Sequence, residues 1–155
     1  DSHPDSLVAK VQGADPAQDG DLAGRGTSST VQVWSDDCVE LFFDANLDRA
    51  SFVHMGINSL GVREDEFIDR GAMMFDAQAR WGFAADMEIG AFVGADFWSL
   101  EIRVDFGQPQ LPPAIAGDVW GFNLVRNYRG EQYNQWVRTI GNGLQPDQFG
   151  MLLFN

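Results

Sequence analysis

The strict alternation of residues 96 to 106 limits the possible folds more than any other feature of the sequence. Every second position of DFWSLEIRVDF after Asp96 is apolar, and these positions are Trp98, Leu100, Ile102, Val104 and Phe106. Polar or charged residues stand between them from Ser99 onwards. A period of two is typical of a β-strand that packs one face on a core and exposes the other. The segment therefore predicts a half-buried strand.

Several other short segments have β character, with Gly, Pro and Asp between them. They lie at residues 7–11, 39–44, 51–61, 87–91, 119–127 and 149–154. Residues 108–117 contain three prolines and predict a connection. No segment shows a convincing helical period. Short strands at this spacing predict an all-β fold, an antiparallel β-sandwich of jelly-roll type.

Length and charge narrow the class of protein further. A chain of 155 residues is most simply one domain, and we predict a single domain over residues 1–155 with a loose N-terminus at 1–6. The net charge of −13 repels phosphate backbones, so we expect no nucleic-acid partner. No apolar run approaches the roughly 18 residues of a membrane helix, and we expect no membrane partner.

Residues 34–48, WSDDCVELFFDANLD, combine an aromatic residue, a strand and several acids. Val39, Leu41 and Phe43 occupy one parity and predict the core face of a strand, which a turn around Asn46 joins to residues 51–61. Trp34 and Glu40 share the other parity. An aromatic plate beside a fixed carboxylate suits a sugar, because the ring stacks on C–H groups and the acid accepts hydrogen bonds from hydroxyls. The alternative is a core tryptophan and a surface glutamate.

The turn of this predicted hairpin has the spacing of a calcium loop. Asp44, Asn46 and Asp48 alternate, so their oxygens could converge on one hard cation. Arg49 and Met55 stand where an EF-hand requires Gly and Glu. Further ligands could come from other nearby acids, namely Asp36, Asp37, Asp15, Asp19 and Asp21. The alternative is an acidic turn without a metal.

The order of the motifs resembles the family 9 carbohydrate-binding modules. The resemblance is carried over residues 7–154 by WSDDCVELFFD, WSLEIRVDF, the proline-rich connection, GDVWGFNLVRN, a later Trp and PDQFGMLLF. It implies a β-sandwich with structural calcium that holds the terminal sugar of a glycan between two tryptophans. By position, Trp34 and Trp136 resemble the two stacking rings and Glu40 the carboxylate that bonds sugar hydroxyls. The polar contacts would come from Arg63, Asn123 and Arg126.

The resemblance also carries expectations about biological setting. Its members are accessory modules of secreted glycan-active enzymes, so we expect a secreted, cell-surface or periplasmic module that is attached to a larger catalytic protein. The expected partner is a mono-, oligo- or polysaccharide. Family members carry several dozen residues ahead of the strand that residues 7–11 resemble, whereas this chain has residues 1–6 there. Either the N-terminal strands of the sandwich were removed, or they lie on another chain, or this is a reduced variant of the fold.

Three other functions were open at the level of sequence. Glu40 and Glu101 could form a glycosidase acid pair, but both lie within strands and their separation does not follow from sequence. Cys38, the single cysteine, could be a nucleophile, although it has no recognisable partner motif. A haem-binding domain of the DOMON-like class is the main alternative, with ligands among His54, Met55, Met73 and Met74. We predict a protein that is not an enzyme.

Overall fold

The computed structural model describes residues 6–14, 33–70, 80–82, 84–140 and 143–155. These ranges hold ten β-strands and two short 3-10 turns, at Val33–Ser35 and Pro146–Gln148. The strands are β1 (Ser6–Ala14), β2 (Asp37–Asp44), β3 (Ser51–Asn58), β4 (Arg63–Asp69), β5 (Arg80–Gly82), β6 (Met87–Val93), β7 (Phe97–Asp105), β8 (Val119–Tyr128), β9 (Gln132–Gln135) and β10 (Gly150–Leu153). In the part of the chain so described, no helix has the length and apolar character that crossing a membrane requires.

The strands form two antiparallel sheets, which confirms the predicted all-β sandwich. The smaller sheet has the order β1-β7-β6. The larger sheet has seven strands in the order β10-β8-β2-β3-β4-β5, and β9 also pairs with β8. The predicted hairpin of β2 and β3 is present, with Phe42 opposite His54 and Glu40 opposite Gly56.

The core lies between the sheets and follows the alternation that the sequence predicts. Trp98, Leu100, Ile102 and Val104 of β7 are at most 1% exposed and point inward. They pack against the apolar parity of the larger sheet, which includes Val39, Leu41, Phe43, Val53, Met55 and Ile57. At about 25 cal/mol per Å² of apolar area, this burial is the main force that holds the sheets together.

One buried carboxylate also connects the sheets. Asp37 of β2 accepts hydrogen bonds from the Trp98 indole of β7 (3.0 Å) and from two nitrogens of Arg126 in β8 (3.1 and 2.8 Å). The Arg126 guanidinium lies 5.6 Å from the centre of the Trp98 ring. Because Asp37 is fully buried, these donors are what make its charge tolerable.

The outer face of the larger sheet is also covered, which the sequence did not predict. All eight residues of β2 are buried, including those on the parity that faces away from the core. A second apolar cluster covers part of this face, and it contains Phe42, Phe52, Ile68, Val125 and Phe149, with Leu144 packed on it. Segments that are distant in sequence therefore bury polar side chains here, and these side chains need internal partners.

Candidate functional site

A chain of polar side chains crosses four adjacent strands on the outer face of the larger sheet. Asn127 of β8 donates from Nδ2 to Glu40 Oε1 of β2 (2.7 Å). The other oxygen, Glu40 Oε2, lies 2.9 Å from His54 Nε2 of β3, and His54 Nδ1 lies 2.9 Å from Glu66 Oε1 of β4. Strand register brings these residues together, since His54 stands directly opposite Glu66 and one step diagonally from Glu40.

Trp34 lies against this row of hydrogen-bonded side chains and begins a stack of three rings. Its ring is 4.2 Å from that of His54, with 25° between the planes, and the His54 ring is 4.4 Å from Phe42 at 12°. Gly56 makes the position possible, because a Cβ there would overlap the Trp34 ring. The Trp34 carbonyl accepts a hydrogen bond from Asn127 Nδ2 (3.1 Å). The 3-10 turn before β2 thus delivers Trp34 to the face that carries Glu40.

The contacts of His54 determine its charge. Both ring nitrogens face carboxylate oxygens, so both donate when the ring is protonated. Burial opposes the positive charge, but the hydrogen bonds and charges of Glu40 and Glu66 outweigh it and raise the pKa of His54 above its ordinary value of 6.5. The two carboxyl groups therefore favour the protonated form of His54.

These residues line a cleft of about 200 Å³. Its walls are completed by Tyr133 of β9, which is 38% exposed, and by Leu144. Tyr133 pairs with Asn127 in the register of β8 and β9, so both side chains point to the outer face. Burial, together with the charges of Glu40 and Cys38, raises the pKa of Tyr133. The cleft has an aromatic residue on each side of a polar floor.

The structure brings Trp34 and Glu40 together and puts Trp136 on the other face of the sheet, so the two rings predicted to stack on the sugar do not face each other. Trp136 is 57% exposed and packs against Phe122 with the ring centres 5.6 Å apart. Phe122 belongs to the core side of β8, and a Cβ on the facing Gly150 would touch the Trp136 ring. Trp136 therefore lies on the opposite face of the sheet from Trp34, because its backbone follows β9 in register with Leu124.

The three predicted polar contacts also have other partners. Asn123 is buried and holds the backbone of Val137 with both ends of its amide (2.9 and 3.0 Å). Arg126 binds Asp37 between the sheets, and Arg63 donates to the Ala85 carbonyl (2.9 Å). In their place the cleft contains residues that the sequence analysis did not select as sugar contacts, namely His54, Glu66, Asn127, Tyr133 and Leu144.

The hairpin turn does not assemble a calcium site among its described residues. Both Asp48 oxygens accept hydrogen bonds from within the turn, from the backbone of Ala50 and Ser51, the Ser51 hydroxyl and Asn46. Asp44 Oδ1 is buried without a partner, which is the one feature that favours a cation. Within the described ranges no group of three acidic, His or Cys side chains could hold a metal. Asp15, Asp19 and Asp21 lie outside the described residues, so calcium stays a prediction.

The structure also bears on the other functions that the sequence left open. Glu101 projects from the outer face of the smaller sheet, where it pairs with Lys10 (3.2 Å), so the sandwich separates it from Glu40. Burial above all raises the pKa of the Cys38 thiol, which keeps it protonated. His54 and Met55 are successive strand residues on opposite faces, and both His54 nitrogens are engaged. Met73 and Met74 lie outside the described residues.

The chain is similar to solved structures, although no family model and no curated protein matches its sequence. The chain is similar to a family 9 carbohydrate-binding module from Caldicellulosiruptor kristjanssonii in complex with glucose, with a TM-score of 0.63, 18% identity, and coverage of 97% of this chain and 71% of that one. A second structure from that organism, in complex with cellotriose, has a TM-score of 0.55, 19% identity, and coverage of 83% and 62%.

A third similar structure comes from another organism. It is a protein from Bacteroides uniformis in which carbohydrate binding is itself inferred, with a TM-score of 0.66, 17% identity, and coverage of 97% of this chain and 72% of that one. The chain thus spans between 62% and 72% of the length of these structures. Likeness at this identity establishes architecture, and the chain has the β-sandwich fold of the family 9 carbohydrate-binding modules.

Proposed function

We propose that this protein binds carbohydrate, without catalysis, in the cleft beside Trp34. The observation that carries the proposal is the position of a partly exposed tryptophan next to a buried, oriented carboxylate, Glu40, within a cleft. A pyranose has apolar C–H faces and a rim of hydroxyls, so it is complementary to a site of this composition. The fold adds support, because the similar structures are carbohydrate-binding modules.

The carboxylate of Glu40 would accept hydrogen bonds from the sugar hydroxyls. Asn127 and His54 each hold one of its oxygens, so the group is oriented before a ligand arrives. Each carboxylate oxygen can accept more than one hydrogen bond, and a charge-assisted bond is stronger than a neutral one. An oriented acceptor also loses little side-chain entropy when the ligand binds. Glu40 would therefore fix the orientation of the bound ring.

Trp34 would contribute contact area and Tyr133 the opposite wall. Stacking of a ligand ring on an aromatic side chain contributes on the order of 1 to 3 kcal/mol, by analogy with stacked bases. Tyr133 would be the second aromatic residue beside the sugar, the role that the sequence predicted for Trp136. Its hydroxyl can both donate and accept hydrogen bonds. We infer a site with one tryptophan and one tyrosine rather than two tryptophans.

Binding without hydrolysis is supported by the arrangement of the acids. Glycosidases place two carboxyl groups on either side of the scissile bond. Glu40 and Glu66 do face each other, but the His54 ring fills the space between them and bonds to both. A glycosidic bond has no room there. An accessory role in a secreted glycan-active protein stays a prediction from the resemblance.

Titration calorimetry with glucose and cellotriose tests the proposal, because similar structures hold these sugars. We expect Trp34→Ala to weaken binding by about tenfold to a hundredfold, the equivalent of one stacked ring. Trp136→Ala is the matched control, since it also removes an exposed indole but on the other face of the sheet. Normal binding by Trp34→Ala, together with lost binding by a folded Trp136→Ala, would move the site away from this cleft.

A further inference from the structure

The hydrogen-bonding groups on the floor of the cleft are unevenly used. Asn127 Nδ2 donates both to Glu40 and to the Trp34 carbonyl, and its Oδ1 accepts from the Gly130 backbone (2.7 Å). His54 uses both ring nitrogens on carboxylates. The side-chain donors of the floor are therefore consumed within the protein. Glu40 is an acceptor only, and its two oxygens have lone pairs beyond those bonded to Asn127 and His54.

The charges of the cleft also favour a ligand that brings donors and positive charge. The seven lining residues include two glutamates and one histidine, and none of them is Lys or Arg. A further acid, Glu64, stands beside the Trp34 turn, where it accepts a hydrogen bond from the Val33 backbone (3.3 Å). Arg70 Nη1 donates a hydrogen bond to Gln145, the residue that follows Leu144 (2.9 Å). The whole chain carries a net charge of −13. A ligand thus meets a negative potential and a surplus of acceptors.

We propose that this cleft selects its sugar by charge, so that a sugar with a free amine binds more tightly than its neutral parent, and the neutral parent more tightly than its uronic acid. The inference rests on the proposed function and names the ligand class of the same site. An ammonium group supplies both donors and positive charge to the acceptors of the floor. A carboxylate supplies neither, and it would stand near Glu40 and Glu66 without a donor from Asn127 or His54, which is costly in a partly dry site.

The test uses matched sugars at low ionic strength and about pH 6, where an amine is protonated. Glucose, glucosamine and glucuronic acid form one series, and galactose, galactosamine and galacturonic acid form a second. N-acetylglucosamine controls for size, because it fills the amine position without the charge. We expect each step of the ranking to change the affinity by about threefold to tenfold, and we expect added salt to shrink the steps.

Two variants show whether the ranking arises in the cleft. Glu66→Gln keeps a carbonyl oxygen for His54 and removes one charge, so the advantage of the amine over its neutral parent should fall about threefold or more. Glu101→Gln is the matched control, because it removes one charge from the outer face of the smaller sheet, where the side chain is 59% exposed. The ratio of affinities within each variant is the quantity compared.

The outcomes separate this inference from the proposed function. Binding of glucose or cellotriose with an equal or greater affinity for the uronic acid would overturn charge selection and leave sugar binding intact. A ranking that survives in Glu66→Gln and is lost in Glu101→Gln would also overturn it, since the selecting charge would then lie on the smaller sheet and not in the cleft. Absence of binding to every sugar, cellotriose included, would overturn the proposed function and this inference with it.

Discussion

The two faces of β2 and β3 are equally buried but are built in different ways. On the inner face, side chains such as Leu41 and Met55 belong to an apolar cluster that draws on both sheets. On the outer face, Glu40 and His54 are ionisable and at most 4% exposed, and each is satisfied by hydrogen bonds. Successive residues of one strand thus contribute to different properties. The inner face stabilises the fold, and the outer face holds a preorganised polar group beside the cleft.

The largest effect should come from the inner face. Leu41 is fully buried in the middle of the core, and Leu41→Ala should lower the free energy of unfolding by about 3 to 5 kcal/mol through lost burial and the cavity left behind. The affinity of the folded variant for sugar should not change. Urea denaturation and calorimetry measure the two quantities. Leu41→Met conserves volume and should cost less than about 1.5 kcal/mol. A weakened affinity in the folded alanine variant would break the division between the faces.

The next effect concerns the charge between the sheets. Asp37→Asn removes the carboxylate from Arg126, whose side chain is 24% exposed, and weakens the acceptor of the Trp98 indole. We expect a loss of about 2 to 4 kcal/mol in urea denaturation, below the full cost of an orphaned buried charge because Arg126 keeps some water. Asp105→Asn is the control, since its pair with Arg103 is screened by solvent and its loss should cost much less stability. Equal losses in both variants would contradict this account.

The inner face was predictable from the sequence because one physical rule governs it. Alternation identified the buried parity of β7 and of β2, and the turn around Asn46 identified the hairpin. These features are local, since the side-chain period of a strand is two residues. Trp34 and Glu40 were likewise predicted on a common face, although Trp34 reaches it from a 3-10 turn and not from an extended strand.

The outer face was less predictable because its contacts depend on register between distant strands. His54 and Glu66 meet only through the pairing of β3 with β4, and REDEFID has too weak a pattern to reveal that pairing. Trp136 does not face Trp34 because the turn at Arg129 and Gly130 fixes the register of β9 on β8. A shift of one residue there would reverse the face of every side chain in β9.

A smaller effect should appear as a pH dependence that belongs to the outer face. The folded protein raises the pKa of His54, so it holds the proton more tightly than the unfolded chain does. The resulting stabilisation is complete below the unfolded pKa of about 6.5 and disappears as pH rises through the folded pKa. The free energy of unfolding should therefore decline with rising pH in this range. In His54→Gln the decline should be reduced, and an identical decline in both proteins would assign it to other groups.

The smallest predicted effects lie in the β2–β3 turn. Both oxygens of Asp48 accept hydrogen bonds there, whereas Asp44 has one buried oxygen without a partner. Burial raises the pKa of Asp48, but the hydrogen bonds that it accepts outweigh burial and lower the pKa overall. Because the side chain is exposed and solvent screens its charge, Asp48→Asn should reduce the free energy of unfolding by less than about 1 kcal/mol. Burial raises the pKa of Asp44 by more than the hydrogen bond from the Arg49 backbone lowers it. Asp44 Oδ1 has no hydrogen-bond partner.

Asp44→Asn should therefore increase the free energy of unfolding slightly, by less than about 1 kcal/mol, because it removes a charge that the folded state does not satisfy. Bound calcium would reverse this sign, since the ion would satisfy the carboxylate and bind only the folded protein. Thermal melts of both proteins in calcium and in excess chelator distinguish the cases. A wild-type melting temperature that falls in chelator, with a loss of this response in Asp44→Asn, would assign a calcium to the turn. An unchanged wild-type melt would exclude a stabilising calcium in the turn and leave Asp44 Oδ1 as a buried oxygen without a partner.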